Sequence, residues 1–443
     1  MGYRFSREDV EYLRGAAGDS ALAEVDRLAL TAASLVGDLE RVRREHGEWA
    51  GALVETVRLR RRAVAKFDGA GEWLFTDDAL QQATPSAVAK HRARRLAGRA
   101  VHDVTCSIGA ELAALHEVCP AVLGSDLDDV RLVMAAHNLS DARNVLLARA
   151  NALAPCSSDA VVIADPARRS DGRRTHDPAR LQPPLPDLLD AYRGRDLVVK
   201  CAPGLDFDSF APRRAARSAP GGAKDAATGG GADEVPPGPD DGRGRAGSGR
   251  VGTGAGRGAA TGLRWDGEVE VVSLDGAVRE ACLWSAGLAD PGTSRRATVL
   301  TSGGSSWSVT DAEPDDIPDR APGEWIIDPD GAVVRAGLVR HYAAKHGLWQ
   351  LDPRIAYLTG DRVPAGVRGF RILDRLDLRE KTLRAELRRR DCGPLEILTR
   401  GVDIDPDALR ARLKPRGAQP HTLVITRIGR TPTVFLCETP PVR

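Results

Sequence analysis

The sequence predicts an α/β protein, in which a mainly parallel sheet with crossover helices lies between an N-terminal helical segment and a small C-terminal α+β domain. Three observations support this fold class. Apolar residues recur at three- and four-residue spacing before residue 67, short apolar runs alternate with amphipathic stretches from His102, and runs of strand length return after Gly369. The first pattern is typical of helices, and the second of parallel strands joined by helices. A chain of 443 residues has room for two or three domains.

The N-terminal helical segment is assigned to residues 1–80. Val10 and Leu13, and later Leu53 and Val57, are spaced as the buried face of a helix requires, with charged residues between them. The sheet domain follows over residues 81–290. Its predicted strands are, in order, VHDVTC, AVLGSD, VLLARA, AVVIADP, DLVVKCA, EVEVVSL and EACLWSA.

A segment of low apolar content interrupts the sheet domain at residues 213–262, where Val235 and Val251 are the only larger apolar residues. Such a segment cannot bury enough apolar surface to offset its ordering entropy, which predicts a disordered Gly-rich insertion between the fifth and sixth strands. Residues 291–365 are interpreted as a connecting subdomain, and residues 366–443 as the small α+β domain.

The composition argues against several classes of protein. The seven cysteines are scattered, odd in number and without a Cys-x-x-Cys pair, so a disulfide framework or a zinc site is not expected. Because the sequence shows neither a secretory leader nor eighteen consecutive apolar residues, we expect a cytoplasmic protein with no membrane and no metal as partner. The sequence carries no signal for the oligomeric state. From residue 365 onward, 17 Lys and Arg stand against 10 Asp and Glu, so the basic surplus is C-terminal.

Small side chains follow the first predicted strand. A nucleotide-like ligand that crosses the carboxyl ends of parallel strands needs small residues there, because a large side chain would keep the backbone away from it. The candidate ligand-binding residues of this motif are Asp103, Thr105, Cys106, Ser107 and Gly109. A tight turn from strand to helix would use similar residues, so this motif alone leaves both interpretations open.

Polar residues also end the second and third predicted strands. Asp126 lies 23 positions after Asp103, where an acidic side chain can accept both ribose hydroxyls of an adenosine group. The alternative is that Asp126 caps the following helix, as Asp128 could also do. Asn151 could hydrogen-bond an adenine edge, or it could form a plain Asx turn.

The fourth strand ends in the pair Asp165-Pro166, our candidate catalytic residues. A carboxylate at this position, followed by a proline that fixes the backbone direction, points into the same crevice. The alternative is a loop in which Asp165 caps a turn and Arg168 is solvated. Arg168 and Lys200, which ends the fifth strand, are candidate substrate-binding residues, although Lys200 could instead pair structurally with Asp165.

Taken together, these motifs resemble those of a known family. The segments that carry the likeness are AKF (65 to 67), LFTDDALQQATPSAVAKHRARRL (74 to 96), DVTCSIGAELAAL, SDLD, VVIADPARR, DGAVVRAGLV, LDPRIAYLT and RGVDIDPDALRARL. They resemble bacterial class I methyltransferases with a C-terminal THUMP-like domain, and the likeness covers nearly all of the chain except the Gly-rich insertion. It implies a Rossmann-like methyltransferase sheet, S-adenosylmethionine as the methyl donor, and a THUMP-like module over residues 366–443.

The resemblance also implies roles for individual residues. The segment from Asp103 to Gly109 matches the motif that binds the methionine end, Asp126 the ribose-binding acid, and Asn151 an adenine-contacting position. The stretch from Phe75 to Thr84 would close over the methionine end, with Thr84 among the cofactor-binding residues. Because THUMP domains belong to RNA-modifying enzymes, an RNA substrate is expected by fold-level analogy.

Two departures from the family pattern bear on function. Thr105 and Ser107 stand where glycines are common, which could weaken cofactor binding. The pair Ala167-Arg168 replaces the Pro-aromatic pair of amino-methylating enzymes, and a flipped base finds no aromatic partner unless Phe75 or Phe207 moves in.

Two alternative functions follow from these departures. One is a non-catalytic RNA-binding scaffold with a degenerate methyltransferase fold, and the other is a nicotinamide-dependent oxidoreductase, for which the glycine fingerprint should be intact. RNA binding itself is assigned to Arg410, Arg412 and Lys414 on a C-terminal helix, although cations at a helix C-terminus are also favoured by the helix dipole.

Overall fold

The computed structural model describes residues 2–167, 169–170, 173–174, 177–204 and 265–439. The expected insertion at residues 213–262, together with Arg168 and Phe207, lies outside the described residues. The helices are α1 Arg7–Leu13, α2 Ala16–Val25, α3 Leu35–His46, α4 Ala50–Ala63, α5 Asp77–Gln82, α6 Ser86–Arg95, α7 Leu112–Leu115, α8 Asp129–Asn138, α9 Leu185–Ala191, α10 Gly331–Arg335, α11 Val339–His346, α12 Glu380–Arg389 and α13 Pro406–Leu413.

The strands are β1 Val101–Asp103, β2 Val122–Asp126, β3 Val145–Arg149, β4 Val161–Ala164, β5 Arg169–Ser170, β6 Arg173–Arg174, β7 Leu197–Cys201, β8 Glu268–Leu274, β9 Ala277–Trp284, β10 Arg295–Leu300, β11 Ser306–Thr310, β12 Trp325–Ile327, β13 Trp349–Gln350, β14 Leu358–Gly360, β15 Gly369–Asp377, β16 Cys392–Thr399, β17 Gln419–Ile428 and β18 Thr431–Glu438.

The N-terminal segment is helical, as the sequence predicts. Helix α1 begins with a reciprocal cap, in which Asp9 N–H donates to Ser6 Oγ at 3.1 Å and Ser6 N–H donates to Asp9 Oδ2 at 2.7 Å. Leu13 and Leu53 are fully buried in a core formed by helices α1 to α5. That core also contains Ile108 and Met134 of the sheet domain, so the helical segment packs directly against it.

The first sheet has nine strands in the order β11-β10-β8-β9-β7-β4-β1-β2-β3. Strands β1 to β4 and β7 pair in parallel, and β9 runs antiparallel between β7 and β8. Strands β4 and β7 are buried along their whole length, which is why β4 appears in the sequence as an unbroken apolar run and β7 as an apolar run interrupted by Lys200. The predicted Rossmann-like α/β sheet is therefore confirmed, and β8 and β9 are its strands after the insertion.

The order of the strands places a crevice at one edge of this sheet. From β1 the chain proceeds outward through β2 to β3, and then returns to place β4 on the other side of β1. At such a reversal the connections at the carboxyl ends of the two central strands diverge and leave room for a ligand. The residues after β1 and after β4 therefore face the same space.

The second sheet has seven strands in the order β13-β14-β12-β15-β18-β17-β16. Its strands β15 to β18, with α12 and α13, form the predicted C-terminal α+β domain. Strand β12 pairs with β15, so that Ile326 lies opposite Phe370. Tyr357 and Phe435 share a buried cluster with these two residues.

The two domain boundaries drawn at residues 290 and 365 do not coincide with the division between the sheets. Strand β10 pairs in parallel with β8, so β10 and β11 extend the first sheet to Thr310. Strands β12 to β14 belong to the second sheet, beginning at Trp325. The region 291–365 is therefore divided between two sheets, because β10 pairs with β8 of the first sheet and β12 pairs with β15 of the second.

Candidate active site

A cavity of about 420 Å³ lies at the carboxyl ends of β1, β2 and β4. Its volume falls in the range of about 300 to 1,000 Å³ that is usual for small-molecule sites. Nearly all of the residues that the sequence motifs single out line it together, namely Thr84, Asp103, Thr105, Cys106, Ser107, Asp126, Asn151, Asp165 and Lys200. Pro166 lines an adjoining cavity instead.

The loop after β1 keeps a glycine-like backbone although it has lost two glycines. Ser107 has a φ of 51°, in the left-handed region that favours glycine, at a cost of about 1 to 2 kcal/mol. Gly109 has a φ of 85°, and a Cβ there would lie 2.7 Å from Leu139 Cδ1. The loop is fixed to β2 by a hydrogen bond from Cys106 N–H to Ser125 O at 3.0 Å. The substitutions therefore leave the turn intact.

Asp126 is held at the rim of the cavity. Its Oδ2 accepts from Ser107 N–H at 3.0 Å and its Oδ1 from Asp128 N–H at 2.9 Å. The alternative that Asp126 caps the next helix is wrong, because Asp128 Oδ1 accepts from the first N–H groups of α8. Asp126 is half-buried, so its carboxylate oxygens keep lone pairs for a ligand.

Asn151 forms the predicted Asx turn at the wall of the cavity. Its Oδ1 accepts from Leu153 N–H at 3.0 Å, which is an Asx turn, and the residue is exposed at the wall of the cavity. The turn orients the side chain and leaves the amide NH₂ group without a partner among the described residues. Asn151 can therefore donate to a ligand while its oxygen stabilises the loop.

Thr105 links the loops after β1 and β4. Its Oγ1 accepts from Asp165 N–H at 2.7 Å and donates to Asp103 Oδ1 at 3.3 Å. The loop after β4 is also fixed on its far side, because Ala167 and Gln182 exchange backbone hydrogen bonds at 2.7 and 3.1 Å. Thr105, which stands where glycine is common in the family, thus connects the loops after β1 and β4 through its hydroxyl group.

Lys200 pairs with Asp165, as the structural alternative in the sequence analysis expected. Its Nζ lies 2.6 Å from Asp165 Oδ2 and 3.6 Å from Glu111 Oε2, and the side chain is 8% exposed. Burial alone lowers the pKa of Lys200, but the carboxylates of Asp165 and Glu111 outweigh it and raise that pKa overall. Two carboxylates therefore neutralise this ammonium group.

The ion pair continues into a buried network beneath the cavity. Arg92, 1% exposed, binds both oxygens of Glu111 at 2.7 and 3.0 Å and also contacts Glu280. Glu280 Oε2 in turn accepts from Thr84 Oγ1 at 3.1 Å. Burial raises the pKa of Glu111, yet Arg92 and Lys200 reverse the shift and lower it. Thr84 is thus connected to the same network as Lys200.

Asp103 lies beside this network, and no cation among the described residues forms an ion pair with it. Burial is the main cause that raises its pKa to about 7, and the carboxylates of Glu111 and Asp165 add to the increase. The hydrogen bond from Thr105 N–H at 3.0 Å and the charge of Lys200 oppose it. Asp103 therefore changes its charge close to neutral pH.

The sequence interpretation missed Arg92, Glu111 and Glu280. Arg92 is one of several basic residues on α6, so its type did not distinguish it. Glu280 did leave a signal, because it is a charged residue at the start of the apolar strand run EACLWSA.

Phe75, which the sequence analysis considered as a stacking partner for a base, does not line the cavity. It is 1% exposed in the N-terminal core, with its ring 5.7 Å from that of Phe67, so it cannot stack on a base.

Comparison with known proteins identifies the family. The chain is 52% identical over 395 residues to an uncharacterized S-adenosylmethionine-dependent methyltransferase of Mycobacterium tuberculosis strain CDC 1551, covering 88% of this chain and 96% of that one. The same identity and coverage hold for its counterpart in strain H37Rv. This chain belongs to the S-adenosylmethionine-dependent methyltransferases.

Two family matches and one solved structure describe the rest of the methyltransferase. Residues 367–439 match the THUMP domain-like family, as predicted for the C-terminal domain, and residues 6–63 match a domain of unknown function. A crystal structure of a Porphyromonas gingivalis W83 protein assigned as a methyltransferase has the same fold along the whole length of both chains, with a TM-score of 0.66 at 16% identity.

The cavity of the methyltransferase fits S-adenosylmethionine by size and chemistry. It has a carboxylate at its rim, a loop of small residues after β1, and a second carboxylate after β4. The described residues contain no group of His, Cys, Asp and Glu side chains that could hold a metal. Among the described helices, none has the length and apolar character to cross a membrane.

The three C-terminal basic residues assigned to RNA lie outside both cavities. Arg410 contacts Asp407 and donates from Nε to Leu395 O at 2.8 Å, and Arg412 Nε donates to Glu380 Oε1 at 2.6 Å. Lys414 ends α13 in a left-handed conformation, exposed and without an ion-pair partner in the described part of the chain. Of the three, Lys414 is the most available to a polyanion.

Proposed function

We propose that this methyltransferase modifies RNA. The observation that carries the proposal is the THUMP domain-like match at residues 367–439, in the same chain as the cavity for the methyl donor. THUMP-like modules are associated with RNA-modifying enzymes, and the basic surplus of the chain lies in this domain. A polyanionic substrate is consistent with that surplus, because phosphate neutralisation dominates the affinity of proteins for nucleic acids.

We assign the residues around the first cavity, at the carboxyl ends of β1, β2 and β4, to the methyl donor. Asp126 accepts hydrogen bonds from the ribose hydroxyls, and Asn151 donates a hydrogen bond to the adenine edge. The loop from Asp103 to Gly109 passes close to the methionine end. Thr84 closes the cavity from the segment before α6. When bound, S-adenosylmethionine supplies an activated methyl group on its sulfonium sulfur.

The catalytic assignment is to Asp165 and Pro166. Asp165 Oδ2 is held by Lys200, whereas Oδ1 has no partner among the described residues. Oδ1 therefore holds the attacking group of the acceptor by a hydrogen bond and receives its proton. Pro166 fixes the backbone after Asp165. Alignment of the two reactants in this way can contribute about 7 to 11 kcal/mol to catalysis.

The non-catalytic scaffold is the less favoured alternative. It depends on the loss of two glycines, and the loop has kept the left-handed conformation at Ser107 as well as the cavity. Calorimetric titration of the full chain with S-adenosylmethionine separates the two, since a scaffold with a degenerate site would give no heat of binding.

Mass spectrometry of nucleosides tests the substrate class. Total RNA from a strain that lacks the gene should lose one methylated nucleoside that wild-type RNA contains, and the purified protein should restore it in vitro. We expect Asp165→Asn to bind the cofactor almost normally and to restore the nucleoside much more slowly. Asp187→Asn, at an exposed position on α9, is the matched control. Identical nucleoside profiles in the two strains would contradict an RNA substrate.

A further inference from the structure

A second cavity of about 300 Å³ adjoins the first at the catalytic residues. The two share Thr84, Asp165 and Lys200 in their walls, and Pro166 lines only the second. Asp165 therefore stands at the junction, with the space assigned to the methyl donor on one side. The second cavity is where an acceptor group could approach Asp165.

Two cations without carboxylate partners among the described residues form part of the lining of this second cavity. Lys66 and Arg279 line it, and neither has a carboxylate partner in the part of the chain that the structure describes. Lys66 Nζ instead donates to the backbone oxygens of Leu80 at 2.7 Å and Gln81 at 3.2 Å. Glu280 also lines the cavity, but its oxygens are engaged by Arg92 and Thr84.

The charges of this lining act on one another. Burial is the main cause that lowers the pKa of Lys66 to about 8, and the nearby charges of Lys200 and Arg279 lower it further. Because Lys200 is neutralised by Asp165 and Glu111, the uncompensated charge belongs to Lys66 and Arg279. An anion placed between these two cations would remove their mutual repulsion.

A third cavity, of about 490 Å³, continues from the same two cations. Lys66, Arg279 and Pro85 line both it and the second cavity. Its other walls include Arg94, Asp275, the ion pair of Lys90 with Asp68 at 3.0 Å, and the hydroxyl-bearing turn between β10 and β11, at Thr301 to Ser306. Lys66 and Arg279 thus stand where the second cavity meets the third, whose lining adds a further cation, Arg94, and several hydroxyl groups.

We propose that Lys66 and Arg279 form a phosphate-binding site for the acceptor, adjoining the catalytic Asp165. A phosphate group accepts hydrogen bonds from an ammonium and a guanidinium together, and the guanidinium can bind it with two parallel hydrogen bonds. That the phosphate is a phosphodiester of RNA rests on the proposed function. The phosphate site itself does not depend on it.

Competitive labelling of lysines on the full-length protein tests this site. An amine-acylating reagent is applied at pH 8 in inorganic phosphate or in chloride of equal ionic strength, and the labelled peptides are quantified by mass spectrometry. Bound phosphate keeps Lys66 protonated and covered, so its labelling should slow. At a phosphate concentration about three times the dissociation constant, the labelling rate should fall about fourfold. Lys381, exposed on α12, is the internal reference and should label equally in both salts.

Two variants separate a specific site from general screening. Arg279→Gln should lose most of the protection of Lys66, and its fold should persist because Arg279 is exposed. Arg44→Gln, an exposed position on α3, is the matched control and should keep the protection. Equal labelling of Lys66 in phosphate and chloride, or full protection in Arg279→Gln, would overturn the proposal.

Two further probes identify the source of the phosphate. A short RNA without terminal phosphates presents only phosphodiesters, whereas uridine 5′-monophosphate presents a monoester. Protection by the RNA supports both the site and the proposed RNA substrate. Protection by inorganic phosphate and the monoester, but not by the RNA, supports the phosphate site and contradicts RNA as the acceptor.

Discussion

Replacing Lys200 with methionine removes the ammonium group that contacts Asp165 in the described part of the chain. Lys200 Nζ lies 2.6 Å from Asp165 Oδ2 at the junction of the two cavities, and both groups are at least partly removed from water. Glu111 would keep its cation, because Arg92 binds both of its oxygens at 2.7 and 3.0 Å. The substitution should therefore mainly destabilise the carboxylate of Asp165, which loses its cation and lies near the carboxylate of Asp103.

The magnitude follows from the burial of the pair. Loss of one partner from a buried ion pair costs about 3 to 5 kcal/mol, because the other charge stays in a medium of low polarity. Lys200 is 8% exposed and Asp165 is 34% exposed, so water can partly solvate the remaining carboxylate. We therefore expect Lys200→Met to reduce the free energy of unfolding by about 3 kcal/mol, at the low end of this range.

A double-mutant cycle checks this reasoning. Urea unfolding at pH 7, followed by tryptophan fluorescence, gives the free energy of unfolding for wild type, Lys200→Met, Asp165→Asn and the double variant. The double variant should be more stable than Lys200→Met alone, with an interaction energy of about 1 to 3 kcal/mol between the two sites. A loss below about 1 kcal/mol in Lys200→Met, or a double variant no more stable than that single one, would refute the assigned ion pair.

Four further predictions follow from the site and the domains. Asp126→Ala should weaken S-adenosylmethionine binding by tenfold or more in calorimetry, since each hydrogen bond to a charged group contributes about 1.5 to 3 kcal/mol. Asp129→Ala removes a carboxylate that pairs with Arg149 and does not line the cavity, and it serves as the control. Equal affinities of Asp126→Ala and wild type would remove Asp126 from the site. Asp103 has a folded pKa of about 7, above its unfolded value, so the native state takes up a proton and loses stability as the pH rises from about 4 to 7. Asp103→Asn should abolish that loss, gaining up to about 4 kcal/mol over wild type at pH 7 and nothing near pH 4 in urea unfolding; a gain independent of pH would contradict the shifted pKa. A fragment of residues 312–443 should fold and bind RNA, and the logarithm of its binding constant should fall with the logarithm of the salt concentration with a slope of about −0.7 per phosphate contacted. Replacing Arg410, Arg412 and Lys414 with Gln should make that slope shallower. A fragment of residues 363–443 should show no cooperative melting in circular dichroism, because β15 loses its partner strand β12. Removal of residues 213–262 with a short linker should leave the melting temperature unchanged, since loop closure changes by only about 0.6 kcal/mol per doubling of length, and a marked fall in melting temperature would show that the insertion packs.

The sequence alone was sufficient for seven of the nine strands of the first sheet and for most of the cavity. Strands such as β4 and β7 are buried on both faces, so their apolar runs are visible without any knowledge of their neighbours. Parallel strands end at one edge of the sheet, and for that reason Asp103, Asp126 and Asp165 could be expected to meet although they are far apart in the chain.

Pairing between distant residues was decided only by the tertiary structure. The sequence interpretation left Lys200 with two alternatives, and the structure selects Asp165 because the folded sheet places their side chains 2.6 Å apart. Arg92 contacts Glu280, 188 positions away, and nothing in the local sequence of either residue indicates the other. The same reason applies to the boundaries at 290 and 365: a strand pattern shows that a segment is extended, whereas the sheet it joins depends on which distant edge offers free backbone hydrogen bonds.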